Sequence, residues 1–212
     1  MSKRQSPAVN RTTVRSAQVA ERALATRAAL VAAGRRLFVA KGYFDTGTEE
    51  IVREAEVTRG ALYHHFADKK ALFLAVFEAV EDDLLASAAG TSRPADALGR
   101  LQMALLGFLD ASLTPEVQRV LLIDGPAVLG WQEWRALEAR YGLGVIRQLL
   151  ADAIDEGTLA PQPIDALAHI LLAAVDEAAL FIANAADPRA ARDTSASAMR
   201  AVLAGITGNP TA

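Results

Sequence analysis

The apolar residues of this chain recur at helical spacing throughout, and this pattern predicts an all-α fold. No run with the two-residue period of a strand competes with it. The first predicted helix covers residues 23–41 and ends at Gly42, and its apolar face carries Leu30, Ala33, Leu37 and Phe38.

Residues 48–66 predict two short helices joined by a tight turn, which is the layout of a helix-turn-helix. We expect the hydroxyl of Thr48 to cap the first helix and that of Thr58 to cap the second. Gly60 is expected to let the two helices approach closely. A third helix, capped by Asp68, continues to about Ser87.

Polar and aromatic side chains mark the outward face of the second short helix. These side chains carry hydroxyl, guanidinium, phenol and imidazole groups, which can donate hydrogen bonds to phosphate oxygens and base edges. The next helix starts with two lysines, at a helix N-terminus suited to a phosphate. We therefore predict DNA contacts at Thr48, Thr58, Arg59, Gly60, Tyr63, His64 and Lys69.

The same stretch closely resembles the DNA-binding domain of the tetracycline-repressor (TetR) family. The resemblance covers residues 25–75, about a quarter of the chain. It rests on Thr48, Ile51, Ala55, Val57, Gly60, Leu62, Tyr63, His65, Phe66, Lys69 and Leu72, preceded by the segment Phe38-Val39-Ala40-Lys41-Gly42-Tyr43. Family members usually have Ala-Gly-Val at the turn, where this chain has Ala55-Glu56-Val57. If the backbone there has a positive φ, the glutamate costs about 1 kcal/mol.

Charge is distributed unevenly along the 212 residues. Residues 1–70 hold 13 Lys and Arg against 7 Asp and Glu, whereas residues 71–212 hold 9 against 18. A basic head on an acidic body would orient the molecule toward phosphate, although compositional drift gives the same totals. The chain contains no Cys, and neither a secretory signal nor an uninterrupted apolar run of membrane length is visible. We expect a cytoplasmic protein without a cofactor or a membrane partner.

Three regions follow from these patterns. Residues 1–22 lack an apolar period, hold five cations against one anion, and predict a disordered basic arm. Such an arm can reach into a minor groove or simply aid solubility. The helix-turn-helix domain is assigned to residues 23–70, and an all-helical ligand-binding and dimerisation domain to residues 71–212.

The C-terminal region predicts helices over residues 95–112, 115–123, 131–156, 163–185 and 191–206. Gly142 and Gly144 predict a kink or a close helix contact in the third of these. Residues 121–142 resemble a recurring motif in one branch of the family. Large or polar side chains in this region could line a cavity for a small hydrophobic or aromatic effector, or could pack in an ordinary core: Met103, Phe108, Asp124, Trp131, Trp134, Tyr141, His169, Asp176 and Phe181.

Apolar stripes on the last two predicted helices indicate either a two-fold four-helix interface or closure of the chain's own core. The family resemblance favours the dimer. The predicted interface residues are Leu171, Val175, Ala178, Ile182, Met199, Leu203 and Ile206.

These features favour a homodimeric repressor that binds a near-palindromic operator and is released by a small molecule. A constitutive dimeric regulator without an inducer is the alternative. A small metal-binding enzyme is a third hypothesis, because His64, His65 and Asp68 have metal-like spacing. Capping and phosphate contact already account for these residues, so we predict no metal site and no catalytic residues.

Overall fold

A computed structural model describes the backbone of residues 9–89 and 94–207 and the side chains of residues 15–87 and 94–207. The chain divides into two compact units, Met1–Val76 and Phe77–Ala212. The boundary lies within a helix and falls six residues after the boundary at residue 70 that the sequence suggested. Helices account for the regular structure of the described residues, as predicted.

The N-terminal unit packs its helices around aromatic and aliphatic side chains. Phe38 and Phe73 meet edge to face, with 5.4 Å between ring centroids. Gly34 faces Leu72 and Val76, and a Cβ there would lie 3.4 Å from each of them. The helices are α1 (Val9–Lys41), α2 (Thr48–Glu54), α3 (Arg59–His65) and α4 (Lys69–Ala89), the last of which continues into the second unit.

Helix α1 begins at Val9, so residues 9–22 are helical rather than irregular as the sequence predicted. The described side chains at its start are exposed, including Val19 at 61% and Leu24 at 70%. The described side chains of residues 15–22 therefore bury little surface. Its alanines and arginines have high helix propensity, and they prolong the packed helix that follows. Residues 1–8 lie outside the described part of the chain.

The C-terminal unit contains the predicted helical regions, together with a short helix at Gly125–Leu129 and two π-helical segments that the sequence did not predict. Their bounds are α5 (Ala97–Ala111), α6 (Gly125–Leu129), α7 (Trp131–Glu138), α8 (Gly144–Asp155), α9 (Ile164–Ala183) and α10 (Pro188–Thr207), with π-helical segments at Val117–Asp124 and Ala139–Leu143.

The glycine pair at 142 and 144 interrupts what the sequence suggested as one helix over residues 131–156. The π-helical turn lies there, and a Cβ on Gly142 would be only 2.8 Å from a Leu172 methyl carbon. Helix disruption and close helix contact, which the sequence offered as alternatives, therefore occur together.

The apolar stripes of α9 and α10 point into the unit itself. Leu171, Val175, Ile182, Met199 and Leu203 are at most 4% exposed, and Ala178 and Ile206 are half-buried. These residues form the core of the monomer, and the five buried ones offer no surface to a second copy. Two amphipathic helices that close their own core have the same sequence pattern as two that dimerise.

Helix α9 is long and apolar enough to pass a membrane-span criterion based on length and composition. Its ion-paired Asp176 and its packing against α5, α8 and α10 match those of a core helix in a folded domain.

Candidate functional site

The turn between α2 and α3 is a Schellman motif with a glutamate at its left-handed position. The amide of Val57 donates to the carbonyl of Val52 at 3.0 Å, and that of Glu56 to Arg53 at 3.2 Å. Glu56 has φ 54°, which is the only positive φ of a non-glycine residue in the described chain. The backbone therefore adopts the conformation that glycine favours, and the strained residue is exposed.

Hydroxyl capping occurs at one of the two predicted threonines. Thr58 caps α3, because its Oγ1 accepts from the amide of Ala61 at 3.2 Å. Thr48 is instead the first residue of α2, and Gly47 occupies the cap position without a side-chain bond. The prediction that Thr48 caps its helix is therefore wrong. Asp68 caps α4 as predicted, since its Oδ1 accepts from Ala71 at 2.7 Å.

The outward face of α3 is formed by four consecutive or near-consecutive exposed residues: Arg59, Gly60, Tyr63 and His64. The Arg59 guanidinium lies 5.6 Å from the centroid of the Tyr63 ring, so the two side chains are in cation–π contact. His64 is in edge contact with His65.

Gly60 faces open space and does not lie between α2 and α3. The expectation that it allows a close contact between these helices is therefore wrong. A Cβ built there meets only the Thr58 hydroxyl, at 3.9 Å. The absence of a side chain leaves the backbone at the start of α3 accessible from outside.

Acidic residues of α2 pair with cations around this surface. Arg59 binds Glu49 at 2.9 Å, and both side chains are about two-thirds exposed. Arg36 binds Glu54 at 2.9 Å, and Lys41 binds Glu50. Part of the positive charge of the N-terminal unit is thus neutralised within the unit.

Lys69 fixes the loop between α1 and α2, a role that the sequence did not indicate. Its ammonium donates to the carbonyls of Tyr43 at 2.8 Å and Thr46 at 3.0 Å and lies 4.0 Å from the Tyr43 ring centroid. Burial lowers the pKa of Lys69, and Asp45 opposes that shift. The ammonium is directed at the protein, so its hydrogen bonds go to the loop carbonyls. Lys69 and Tyr43 are 26 apart in sequence, and no regular spacing of residue types predicts a contact at that separation.

The described residues contain no group of three or more His, Asp or Glu side chains arranged to hold a metal ion. His64 is exposed and contacts the His65 ring, and Asp68 caps α4.

The predicted effector residues do not form one wall. Trp134 is fully buried, and its Nε1 donates to the carbonyl of Leu121 at 3.0 Å. Trp131, His169 and Phe181 are exposed, with Trp131 at 62% and Phe181 at 57%. Met103, Phe108 and Tyr141 are half-buried, and Asp124 is buried in an ion pair with Arg119 at 3.2 Å. Among these residues, Trp131 and Trp134 meet, with 5.0 Å between centroids.

A buried acidic cluster lies beside Trp134, and it consists of Glu81 on α4, Glu138 on α7 and Asp176 on α9, each at most 5% exposed. Arg135 forms an ion pair with Asp176. Burial, with Asp176 and Asp82 nearby, raises the pKa of Glu81 to about 7. Burial together with Glu81 and Asp176 raises the pKa of Glu138 to about 9. Burial raises the pKa of Asp176 to about 6, although Arg135 opposes the shift. Of these three carboxyl residues, only Asp176 was predicted from the sequence as a candidate effector contact.

Both units match known families. Residues 30–76 match the family described as bacterial regulatory proteins, tetR family, and residues 99–206 match the tetracyclin repressor-like C-terminal domain. Among curated proteins, the transposon Tn10 TetC protein of Escherichia coli is 28% identical over 148 residues, covering 69% of this chain and 74% of that protein. The HTH-type transcriptional regulator AcrR of Shigella flexneri is 35% identical over 99 residues, 46% of each chain.

A similar solved structure is that of a TetR-family transcriptional regulator from Pectobacterium atrosepticum. It is 31% identical, covers 90% of this chain and 98% of its own, and has a TM-score of 0.78. Families of this kind are regulators and not enzymes, in agreement with the prediction from sequence. The chain belongs to the tetR family and is a DNA-binding transcriptional regulator with an N-terminal helix-turn-helix.

Proposed function

We propose that this protein is a cytoplasmic homodimeric repressor that binds a near-palindromic operator through α3 and is released by a small molecule. The observation that carries the DNA part is the exposed face of α3, where Arg59, Tyr63 and His64 surround the open backbone at Gly60. Side-chain donors can read base edges there, while the uncovered backbone allows a duplex to approach closely.

Thr48 and Thr58 extend this proposed surface at the starts of α2 and α3. Thr48 is the first residue of α2 and Thr58 is the cap residue of α3, and at helix starts a hydroxyl and backbone amides can bind phosphate oxygen. Lys69 holds the Tyr43 to Thr46 loop through two hydrogen bonds, and we assign its contribution to positioning.

The dimer interface is proposed on the exposed faces of α9 and α10. Ile170 and Phe181 lie three turns apart on α9 and are 61% and 57% exposed, and Val202 on α10 is 46% exposed. Exposed Ala173 and Ala198 flank them and permit close approach. Large apolar side chains of this exposure favour association, and a two-fold dimer would place two α3 helices on a near-palindromic site.

The release step requires an effector that binds one state of the dimer more tightly than the other. Trp131 and Trp134, with Arg135 and Asp176 beside them, are the proposed contact region. This choice keeps three of the residues predicted from sequence. Phe181 is assigned instead to the proposed dimer interface, and exposed His169 is not assigned to the contact region.

The test begins with genomic fragments retained by the purified protein, followed by gel shift on the selected site. Arg59→Ala and Tyr63→Ala should each weaken specific binding about 5- to 150-fold, the equivalent of roughly 1 to 3 kcal/mol. Arg53→Ala, which removes an exposed cation from α2, is the control for charge alone. If both variants bind as the wild type does, α3 is not the reading helix. If no compound from a screen releases the operator, the constitutive alternative is favoured.

A further inference from the structure

Among the described residues, the buried acidic cluster contains more carboxyl groups than cations, and two of its carboxyl oxygens lack hydrogen bonds. Three carboxyl groups, Glu81, Glu138 and Asp176, have one identified cation, Arg135, whose bond goes to Asp176. One oxygen each of Glu81 and Glu138 has no hydrogen-bond partner within the described part of the chain. These residues are 5% and 4% exposed, so water does not readily satisfy them.

We propose that the C-terminal unit binds a small organic cation with N–H donors, such as an amidine, a guanidine or a protonated amine, at Glu81 and Glu138. The unpartnered carboxylate oxygens accept hydrogen bonds from the cation. A buried acceptor without a partner is destabilising, so a ligand that donates a hydrogen bond to it is favoured. Quaternary ammonium ions carry positive charge but lack N–H groups, and they therefore meet only half of this requirement.

An aromatic group on the cation fits the neighbouring surface. Trp131 is 62% exposed and its ring is tilted against Trp134. The guanidinium of Arg135 lies 6.0 Å from the Trp131 ring centroid and 5.8 Å from that of Trp134. This arrangement already places a planar cation over indole rings, and Arg135 marks the position that a ligand would share or take over. Arg135 is 28% exposed, so the cation position borders solvent.

Proton release accompanies binding at neutral pH. The carboxyl groups that face one another are Glu81 with Asp82 on α4, Glu138 on α7 and Asp176 on α9, with Arg135 as the opposing cation. Because Glu138 holds its proton up to a pH of about 9, a cation that binds its carboxylate displaces that proton. Affinity should therefore increase with pH, by up to about tenfold per pH unit below that value.

This inference identifies the class of the proposed effector and so rests on the proposed function for its regulatory meaning. Glu81 belongs to α4, whose first turn carries the Asp68 cap and Lys69. A cation that binds Glu81 thus contacts the helix that begins in the DNA-binding unit, which is what an effector must do.

The experiment uses benzamidine, a planar aromatic cation, and benzamide, its neutral analogue, with the full-length protein. Calorimetry should detect binding of benzamidine, and benzamide should bind at least tenfold more weakly. Titrations in two buffers of different ionisation enthalpy should show that a proton is released when benzamidine binds. Glu138→Gln should lower benzamidine affinity at least tenfold and flatten its pH dependence, and Glu81→Gln should also weaken it. Glu133→Gln, which neutralises an exposed carboxylate on the same helix, should leave it unchanged.

Equal binding of benzamidine and benzamide, or undiminished binding by Glu138→Gln, would overturn the inference. So would failure of benzamidine to raise the melting temperature of the wild type at millimolar concentration at pH 8.5. Operator binding without benzamidine is measured in parallel. A protein that binds its operator but not benzamidine refutes only the cation site, whereas one that binds benzamidine but no DNA refutes the proposed regulatory role.

Discussion

The ammonium of Lys69 and the carbonyl of Tyr43 are joined by a 2.8 Å hydrogen bond across 26 residues of sequence, while the same ammonium lies over the Tyr43 ring. This relationship ties the start of α4 to the loop that precedes α2. It makes Lys69 part of the framework that positions the helix-turn-helix.

Replacing Lys69 with Met keeps the apolar stem but removes the donors. We expect Lys69→Met to lower the free energy of unfolding of the DNA-binding unit by roughly 2 kcal/mol, since hydrogen bonds from a charged group contribute more than neutral ones. Operator affinity should fall with it, because the loop before α2 is released. Chemical denaturation and gel shift measure the two effects, with Arg53→Met as the control for loss of an exposed cation. Unchanged stability with reduced affinity would indicate a direct phosphate contact instead.

Glu56 occupies the left-handed position of the Schellman turn. Glu56→Gly should stabilise the N-terminal unit by about 1 kcal/mol, because glycine adopts a positive φ without steric cost. Operator affinity should also increase as a carboxylate is removed near phosphate. Glu56→Ala separates the two causes, since it removes the charge but keeps the strained Cβ. The φ explanation fails if thermal unfolding shows that alanine stabilises as much as glycine does.

Gly60 lies in open space on α3. Gly60→Ala should therefore stabilise the helix by about 0.5 to 1 kcal/mol. If the operator approaches this backbone, the added methyl group should nevertheless weaken binding at least tenfold. Gly107→Ala, at an equally open helical position in α5, should stabilise the protein without affecting the gel shift. Normal operator binding by Gly60→Ala would place the duplex farther from α3.

Phe181 and Leu171 on α9 distinguish the proposed interface from the core, because Phe181 is exposed and Leu171 is buried. Phe181→Glu should yield a folded monomer with weakened operator binding, because the carboxylate would otherwise be buried between two copies. Leu171→Glu should lower the melting temperature instead, since Leu171 is fully buried within one chain. Sedimentation and circular dichroism distinguish these outcomes. A Phe181→Glu protein that remains dimeric would exclude this face of α9.

The raised pKa of Glu138 implies that stability decreases as pH rises. Its folded pKa, about 9, lies above the ordinary value of 4.5, so the native state holds the proton more tightly than the unfolded state between these pH values. Stability attributable to Glu138 is thus present in acid and is lost progressively up to about pH 9. Glu138→Gln cannot lose a proton, and denaturation curves from pH 5 to 9 should show a shallower decline than for wild type. Parallel declines would contradict the assigned shift.

Local chemistry explains which features the sequence revealed. The caps at Thr58 and Asp68 and the glycine disruption at 142 depend on neighbours within a few residues, and these predictions agree with the structure. Contacts over longer separations were missed, including those of Lys69 and the grouping of Glu81 with Glu138. Periodicity identified the stripes on α9 and α10 but could not tell a core face from an interface, because both require apolar residues at the same spacing.

The pairing of Arg59 with Glu49 has a consequence for how the regulator searches a genome. An exposed ion pair of this kind contributes only about 0.2 to 1 kcal/mol, so a correct site can replace the carboxylate with little loss. On unrelated sequence the same carboxylate competes with phosphate, and fewer counterions are released than the number of cations suggests. The protein should therefore dissociate more readily from random DNA and spend less time on sites that it does not regulate.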